Sequence, residues 1–522
     1  MVSVKVITYD VGTTGFKTAL FEISKDEGIR LVVNAVGHYK LTVLPNGGTE
    51  QNPEDWWRAM CLGTREVLEK SGVPSSDVKG ISFCSQVGTL VMVDEQGRPL
   101  RPAMNIMDTR ATAQFGRIMG SGVKVEGLNA KRLLTFLKIT GLASTSAKDS
   151  VWRYLWVREN EPEIFSRLYK WIDTKEYLIL RATGKLMASR DDAYMTFLYD
   201  YKKKEWSREL CRMTGVDMNH LPEVCDSTAV VGELLEGPAE ELGLDPGTAV
   251  VSGGTDISLC QIGAGAVRPG DVSVCGGTSG WVCTTVDKMT VDVASGIGSV
   301  VCADPKTLLY TADCETAGKC LEWAKERLQG TPFDSYREMF DAVERAPAGS
   351  HNVVFSPWMH GNRCPFEDPL SRGVFFNVDV NCHSSDLIRA VVEGVAMHMR
   401  WLLETSERNV RTNPDLRFVG GVARTSVVGQ IMADVTKRVI EVPEVPEQCG
   451  TAGAAAVLAV AFGMLDSIQD VREIIKVRDR FEPDEVNGKV YDRIFPVFKD
   501  LYKANKKAFR TLNGQEPGTT EE

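Results

Sequence analysis

The stretch Thr248–Thr285, TAVVSGGTDISLCQIGAGAVRPGDVSVCGGTSGWVCTT, decides how the chain is read. Ala249–Val251 is a short apolar run of the kind that forms a buried strand, and it stops at the turn Gly253-Gly254. Asp256 falls where a helix should begin, ahead of Ile257, Cys260, Gln261 and Ala264. That helix ends in glycine, and Arg268-Pro-Gly-Asp271 turns the chain. A second strand, Val272–Cys275, runs into Gly276-Gly-Thr-Ser-Gly280 and leaves through Trp281-Val-Cys-Thr284. One segment therefore offers an isolated carboxylate at a strand end and, close behind it, a glycine-rich hairpin tip. The carboxylate can take a proton. The tip can present backbone N–H groups and hydroxyls to phosphate oxygens.

The same device stands at the start of the chain. Val4, Val6 and Thr8 alternate with Lys5, Ile7 and Tyr9, Asp10-Val-Gly-Thr-Thr-Gly15 breaks the strand, and Phe16–Phe21 resumes it. Aligned, the two tips read DVGTTG and CGGTSG, which suggests an internal duplication with one phosphate-facing tip in each half. They differ at one position: Asp10 carries a carboxylate and its counterpart Cys275 does not. A nucleotide triphosphate repels acids, but one acid is needed to hold a metal ion, and Asp10 is the candidate. Taken alone, D-x-G-T-T-G is also an ordinary tight turn. Neither tip matches G-x-x-x-x-G-K-[ST], and no G-x-G-x-x-G opens a helix after a strand.

With 522 residues the chain has length for at least two domains. A net charge of −10 argues against a general nucleic-acid surface, which needs clustered Lys and Arg. Thirteen scattered cysteines, with no C-x-x-C pair, fit reduced thiols rather than a disulfide framework or zinc site. The first residues enter a strand directly, so no signal peptide is expected, and the longest apolar run, Ala454–Phe462, is too short to span a bilayer. A cytoplasmic protein with no membrane partner is the expectation.

Elsewhere, Asn52-Pro-Glu-Asp-Trp-Trp57 starts a helix running to about Lys70, and Gly80–Cys84 is a strand followed by Ser85-Gln-Val-Gly-Thr89. Asp108 is either the N-cap of a helix over Thr109–Met119 or a ligand contact. Residues 145–225 are mostly helical, with Trp152, Leu155 and Trp156 at core spacing, and Asp191-Asp-Ala193 lies in a solvated loop. Asp386–Thr405 is an amphipathic helix on which His398 is structural. Leu416–Val419 is a strand ending in Gly420-Gly421, where small residues let a flat ring approach the backbone, and Thr425 or Ser426 can cap the next helix. The helix opened by Thr451-Ala-Gly-Ala-Ala-Ala456 is apolar all round and should be buried. These signals place domains at 1–247 and 248–485, then a C-terminal helix with a disordered tail over 486–522.

Four pieces in order, DVGTTG at Asp10, GGTD at Gly253, GGTSG at Gly276 and GGVARTS at Gly420, resemble the FGGY carbohydrate kinases of the actin-like ATPase superfamily. The likeness extends over nearly the whole chain, through RPAMNIMDTRA from Arg101 and WMHGNRCPFEDPLSRGVFFNV from Trp358, and is greatest to xylulokinase-like members. The resemblance implies an α/β architecture of two ribonuclease-H-like domains flanking a deep catalytic cleft, and ATP-dependent, Mg²⁺-assisted phosphorylation of a small sugar or polyol. By position it makes Asp256 the general base that contacts the substrate hydroxyl, and Asp10 the Mg²⁺ residue. It directs Gly12, Thr13 and Thr14 at the transferred phosphate, and Gly277 and Thr278 at the other phosphates. Gly420, Gly421 and Thr425 fall at the adenosine, and Gln86 and Asp108 at the sugar. Homodimers are expected by the same analogy. Ile257 replaces the family's usual Asn after the base. The Gln86-Val-Gly88 loop has neither the His of xylulokinases nor the Arg-Glu pair of glycerol kinases, so a ketopentose, another polyol and an aldonate all stay open. The rival reading is an actin-like ATP-binding regulatory or assembly protein without sugar kinase activity.

Overall fold

Strict alternation from Val4 onward makes the first strand, Val4–Val11, which pairs antiparallel with Gly15–Ser24 so that Val11 faces Phe16 across the glycine-rich tip. In this computed structural model, which describes residues 3–125, 127–328 and 333–514, the hairpin sits inside a larger sheet. Its order is Val230–Glu233, Ala249–Val251, Val78–Ser85, Val4–Val11, Gly15–Ser24 and Gly28–His38, with Gly254–Thr255 also on Val78–Ser85. Val78–Ser85 and Ala249–Val251 run parallel to the first strand, and Val230–Glu233 runs antiparallel.

Both faces of this sheet are buried. Ile7, Tyr9 and Val11 point to the side covered by helix Pro53–Ser71, where they join Trp56, Trp57, Met60 and Val67. That helix begins as the sequence indicated, with the Asn52 side chain accepting from the Glu54 N–H and Pro53 in its first turn. Trp56 is fully buried, and a core tryptophan of this kind contributes on the order of 3–5 kcal/mol. Val6, Ala19 and Phe21 point to the other side and meet helix Cys449–Ala461. Its small residues permit an approach no larger side chain would tolerate: a Cβ on Gly453 would lie 2.0 Å from the Leu259 carbonyl oxygen.

A second sheet repeats the plan. Val272–Gly276 pairs antiparallel with Gly280–Val286 and parallel with Asp415–Val419, followed by parallel Val439–Pro443 and antiparallel Val477–Phe481. Beyond Gly280–Val286 come Leu308–Cys314, Ile297–Val301 and Val291–Asp292. Hairpin, two parallel strands and a closing antiparallel strand occur in the same order in both sheets. The duplication suggested by the two tips thus extends to the hairpin and its two parallel strands; the closing strands differ in connectivity, since Val230–Glu233 precedes Ala249–Val251 in the chain and Val477–Phe481 follows Val439–Pro443.

Two units result. The first comprises Met1–Val267, Val300–Leu308 and Gln448–Ile475; the second comprises Arg268–Ser299, Leu309–Glu447 and Lys476–Glu522. The break falls after Val267, later than the expected one after Gly247. Ala249–Val251 and Gly254–Thr255 add to the first sheet, and Gln448–Ile475 returns to cover it. Within the second unit, helix Ser384–Ser406 carries a buried Arg389–Glu393 pair at 2.7 Å, to which Tyr491 of the C-terminal helix Glu485–Asn513 donates at 2.7 Å. His398 on the same helix accepts from Trp358 Nε1 at 3.3 Å, and burial pushes its pKa down to about 4, so it is a neutral structural residue. The expected tail over residues 515–522 lies outside the described residues. No described helix is long and apolar enough to cross a membrane, and no disulfide forms among the described residues.

Candidate active site

The register of the first sheet brings three sequence-distant residues to one edge. Cys84 lies directly opposite Asp10 on one side and Gly254 on the other; one step further, Ser85 lies between Val11 and Thr255. All three strands run parallel and end here. Asp10 is in the row itself, Gln86 follows Ser85, and Asp256 follows Thr255. The carboxyl ends of parallel strands are where open α/β sheets bind ligands.

Asp256 is the first residue of helix Asp256–Gly263. Thr255 caps that helix, its side chain accepting from the Ser258 N–H at 3.3 Å, and Asp256 Oδ1 accepts from the Ile257 N–H at 2.8 Å. The backbone leading into the helix is fixed by close contacts. Gly253 has φ +70°, and a Cβ there would fall 1.9 Å from the Phe83 carbonyl oxygen. Behind the helix, a Cβ on Gly263 would lie 1.9 Å from the Cys449 carbonyl oxygen.

Asp191 completes this support. Its Oδ2 accepts from the Thr255 N–H at 2.8 Å, and its Oδ1 accepts from the Ser189 hydroxyl at 2.5 Å. The expectation of a solvated loop at Asp191-Asp-Ala193 is overturned: both acids are buried in helix Arg190–Met195, and Asp192 pairs with the buried Lys175 at 2.6 Å. Burial, and then the neighbouring Glu176, pushes the Asp192 carboxyl well above its ordinary range, and the Lys175 ammonium opposes that rise.

Asp10 pairs with Lys17 across the hairpin at 3.1 Å, and that carboxylate raises the Lys17 pKa above its ordinary value. Burial, reinforced by Asp10, pushes the Cys84 thiol up, so it stays protonated. In the tip beyond Asp10, every carbonyl is held from within the protein. Tyr39 donates its hydroxyl to the carbonyl oxygens of Gly12 and Gly15, Gln51 Nε2 donates to Thr13 O at 2.7 Å, and the Tyr39 N–H reaches Thr14 O at 3.4 Å.

Gln86 is buried at the end of its strand, its N–H donating to Val11 O at 2.8 Å. Its side chain belongs to a three-amide cluster. Gln86 Nε2 donates to Gln51 Oε1 at 2.9 Å, and Asn105 Nδ2 donates to Gln51 Oε1 at 3.1 Å and Gln86 Oε1 at 3.0 Å. The loop after Gln86 is clamped by the buried Arg153 and the half-buried Asp173. Asp173 accepts from the Gly88 N–H at 2.7 Å, and Arg153 donates to Gly88 O and to Asn105 O. Burial, and then Asp192 nearby, raises the Asp173 carboxyl to about 7, and burial lowers Arg153 to about 10.

Asp108 stands differently from the helix cap considered for it. The helix begins at Thr112 with Ala111 at the N-cap position. The Asp108 carboxylate is fully buried, accepting from the Thr49 N–H at 3.0 Å and from Arg110 Nη2 at 2.6 Å. Arg110 in turn stacks over Trp156 at 4.5 Å and pairs with Glu50 at 2.7 Å. Asp108 therefore shapes the wall around Gln51 and Asn105.

The second unit carries the other candidates. Gly277 and Thr278 form the tip between Gly276 and Gly280. Their carbonyls accept backbone N–H groups at the start of helix Gly318–Arg327: Gly318 to Gly277 O at 2.7 Å, Ala317 and Lys319 to Thr278 O at 3.1 Å each. Gly420, at φ +94°, sits so close that a Cβ would be 2.6 Å from Gly276 O, whereas a Cβ on Gly421 would meet nothing within 4 Å. Thr425 occupies the N-cap position of helix Ser426–Thr436 without a side-chain capping bond.

Residues 5–263 match the N-terminal domain of the FGGY family of carbohydrate kinases, and residues 272–462 match its C-terminal domain. The chain is 28% identical over 505 residues to a xylulose kinase of Bacillus subtilis, covering 96% of this chain and 97% of that one. It is 26% identical over 520 residues to a gluconokinase of the same organism, with 98% of each covered. Among solved structures, a gluconate kinase from Lactobacillus acidophilus superposes with a TM-score of 0.85 at 23% identity, covering 98% of this chain and all of that one, and shares the fold. With both of its domains matched in order along one chain, this protein belongs to the FGGY family of carbohydrate kinases.

Proposed function

We propose that the protein transfers the γ-phosphate of ATP to a hydroxyl of a small polyhydroxy substrate: a ketose, a polyol or a sugar acid. The observation that carries the reading is the row Asp10–Cys84–Gly254, which gathers Asp10, Gln86 and Asp256 at the ends of parallel strands. Relatives named xylulose kinase and gluconokinase, each similar over nearly the full length, supply the substrate classes.

In this reading Asp256 accepts the proton of the attacking hydroxyl as its oxygen bonds to the γ-phosphorus. The bond from that phosphorus to the β,γ-bridging oxygen breaks, and ADP departs with the electron pair. Little else is asked of the protein in phosphoryl transfer beyond positioning and charge neutralisation. Gln86 holds the substrate through its amide, while Asp108 keeps the surrounding wall in place. Thr13, Thr14 and Gly12 face the transferred phosphate. Gly277 and Thr278 take the remaining phosphates, and Gly420, Gly421 and Thr425 line the adenosine, with the open space at Gly421 leaving room for a ring. Mg²⁺ is compatible with the residues present, because it binds through one or two carboxylates together with phosphates and waters, and Asp10 provides one carboxylate. When bound it neutralises charge developing on the phosphates.

The test is ADP release measured with D-xylulose, D-gluconate and glycerol. At least one should stimulate turnover, and Asp256→Asn should lower kcat by roughly 10²–10⁴-fold. Sugar-independent hydrolysis that is indifferent to Asp256→Asn would return the protein to the regulatory class.

A further inference from the structure

The carbonyl oxygen of Thr13 can only accept a hydrogen bond, so Gln51 must turn its NH₂ group toward it, at 2.7 Å. That choice leaves Gln51 Oε1 facing Gln86 and Asn105, which must both present NH₂ groups to it, at 2.9 and 3.1 Å. Asn105 uses its second hydrogen on Gln86 Oε1 at 3.0 Å, and its own Oδ1 accepts from the Met107 N–H at 3.1 Å. One donor–acceptor assignment satisfies the whole cluster. Gln51 and Asn105 are at most 1% exposed, so neither amide turns freely. Gln86 retains one Nε2 hydrogen that these bonds do not use. The side chain offered to the sugar and the backbone offered to the phosphate therefore share a single buried residue.

We infer that Gln51 is a positioning residue that couples the two substrates, so that sugar bound at Gln86 and nucleotide bound at the Thr13 tip tighten each other. The inference rests on the sugar kinase reading. A sugar that fixes the Gln86 amide fixes Gln51 and with it the Thr13 carbonyl, and the nucleotide then meets a tip whose ordering has already been met. Linkage makes the effect reciprocal. Tyr39 supplies the contrast, since it holds the same tip through Gly12 and Gly15 without touching the amide cluster.

The experiment is calorimetric titration of the β,γ-imido analogue of ATP with Mg²⁺, without acceptor and with whichever of D-xylulose, D-gluconate and glycerol the native enzyme phosphorylates. In the native protein the sugar should tighten the analogue at least about 5-fold. Gln51→Glu keeps acceptors for Gln86 and Asn105, and with its carboxyl ionised it cannot donate to Thr13, so at alkaline pH it should still bind sugar while the tightening falls below about 2-fold. Gln51→Met should lose the tightening as well, and either folded variant suffices. Tyr39→Phe should weaken the analogue with and without sugar alike and leave the tightening near native, which separates a general loosening of the tip from loss of the coupling. Absence of tightening in the native enzyme, or its survival in Gln51→Met, overturns the coupling. Failure of the native enzyme to phosphorylate any of D-xylulose, D-gluconate and glycerol overturns the functional reading beneath it.

Discussion

The two glycine-rich tips share a topology and differ in how they are held. The tip after Asp10 is tethered by side chains: the Tyr39 hydroxyl, the Gln51 amide and the Lys17–Asp10 pair. The tip after Cys275 is tethered by backbone, the N–H groups of Ala317, Gly318 and Lys319 closing onto Gly277 and Thr278. A side-chain tether can carry charge and respond to a neighbouring ligand. A backbone tether cannot titrate, and its geometry depends on residues small enough to allow the approach. The duplicated sheet thus holds one tip that is chemically adjustable and one that is fixed in place.

The contrast predicts where pH should act. The loop after Gln86 hangs from Asp173, whose carboxyl is raised by burial from 3.8 to about 7. Between those values the folded state keeps a proton that the unfolded state has lost. Stability therefore rises as pH falls through that window and is lowest above about 7, where the buried charge is fully formed. The gap corresponds to at most roughly 4 kcal/mol. Asp173→Asn keeps one oxygen to accept from the Gly88 N–H but turns its NH₂ group toward the Thr174 N–H that the other oxygen accepts at 2.6 Å, so its signature is the slope: it should flatten the dependence of Tm between pH 5 and 8. Thermal melts across that range check it, and an unchanged slope would remove Asp173 as the source. The next largest effect concerns the one acid that distinguishes the tips. Asp10→Asn should cost roughly 10–100-fold in activity, recovered in part by raised Mg²⁺, the range for losing a group that orders metal-bound water. Cys275→Ala at the matching position should leave turnover within a few-fold. Equal sensitivity of the two positions would erase the asymmetry.

Much of this arrangement was legible because it is local. The tips, the strand before each, Asp256 at a helix start and the Asn52 cap all follow from residues within a few positions of one another. The polar supports were not. Asp191 reaches Thr255 and Gln51 reaches Thr13 across long stretches of chain, and such contacts leave no period to read. Gln51 was hidden by its position, since Glu50-Gln-Asn-Pro-Glu reads as the approach to a helix cap and nothing more. Asp108 did carry a signal: Arg110 two residues on could have been recognised as its partner, which would have made burial the better expectation. The return of Gln448–Ile475 to the first unit was foreshadowed only by a helix apolar on every side, a pattern that says buried without saying where.

The backbone tether is tested at Gly318. A Cβ there would stand 2.5 Å from the Gly277 carbonyl oxygen, a backbone atom that cannot swing aside as a side-chain end would. Gly318→Ala must therefore either lengthen the 2.7 Å bond from its own N–H to Gly277 O or move the tip with it. Overpacking of this kind costs about 1–3 kcal/mol. Any part of that cost relieved by displacing Gly277 and Thr278 appears as weaker nucleotide binding, about tenfold for each 1.4 kcal/mol. KM for ATP should rise on that order while KM for the sugar stays near native, because Gln86, Gln51 and Asp256 all belong to the other unit. Steady-state kinetics with each substrate varied in turn separates the two. If the sugar KM moved in step with that for ATP, the tip after Cys275 would be no more independent than the tip after Asp10.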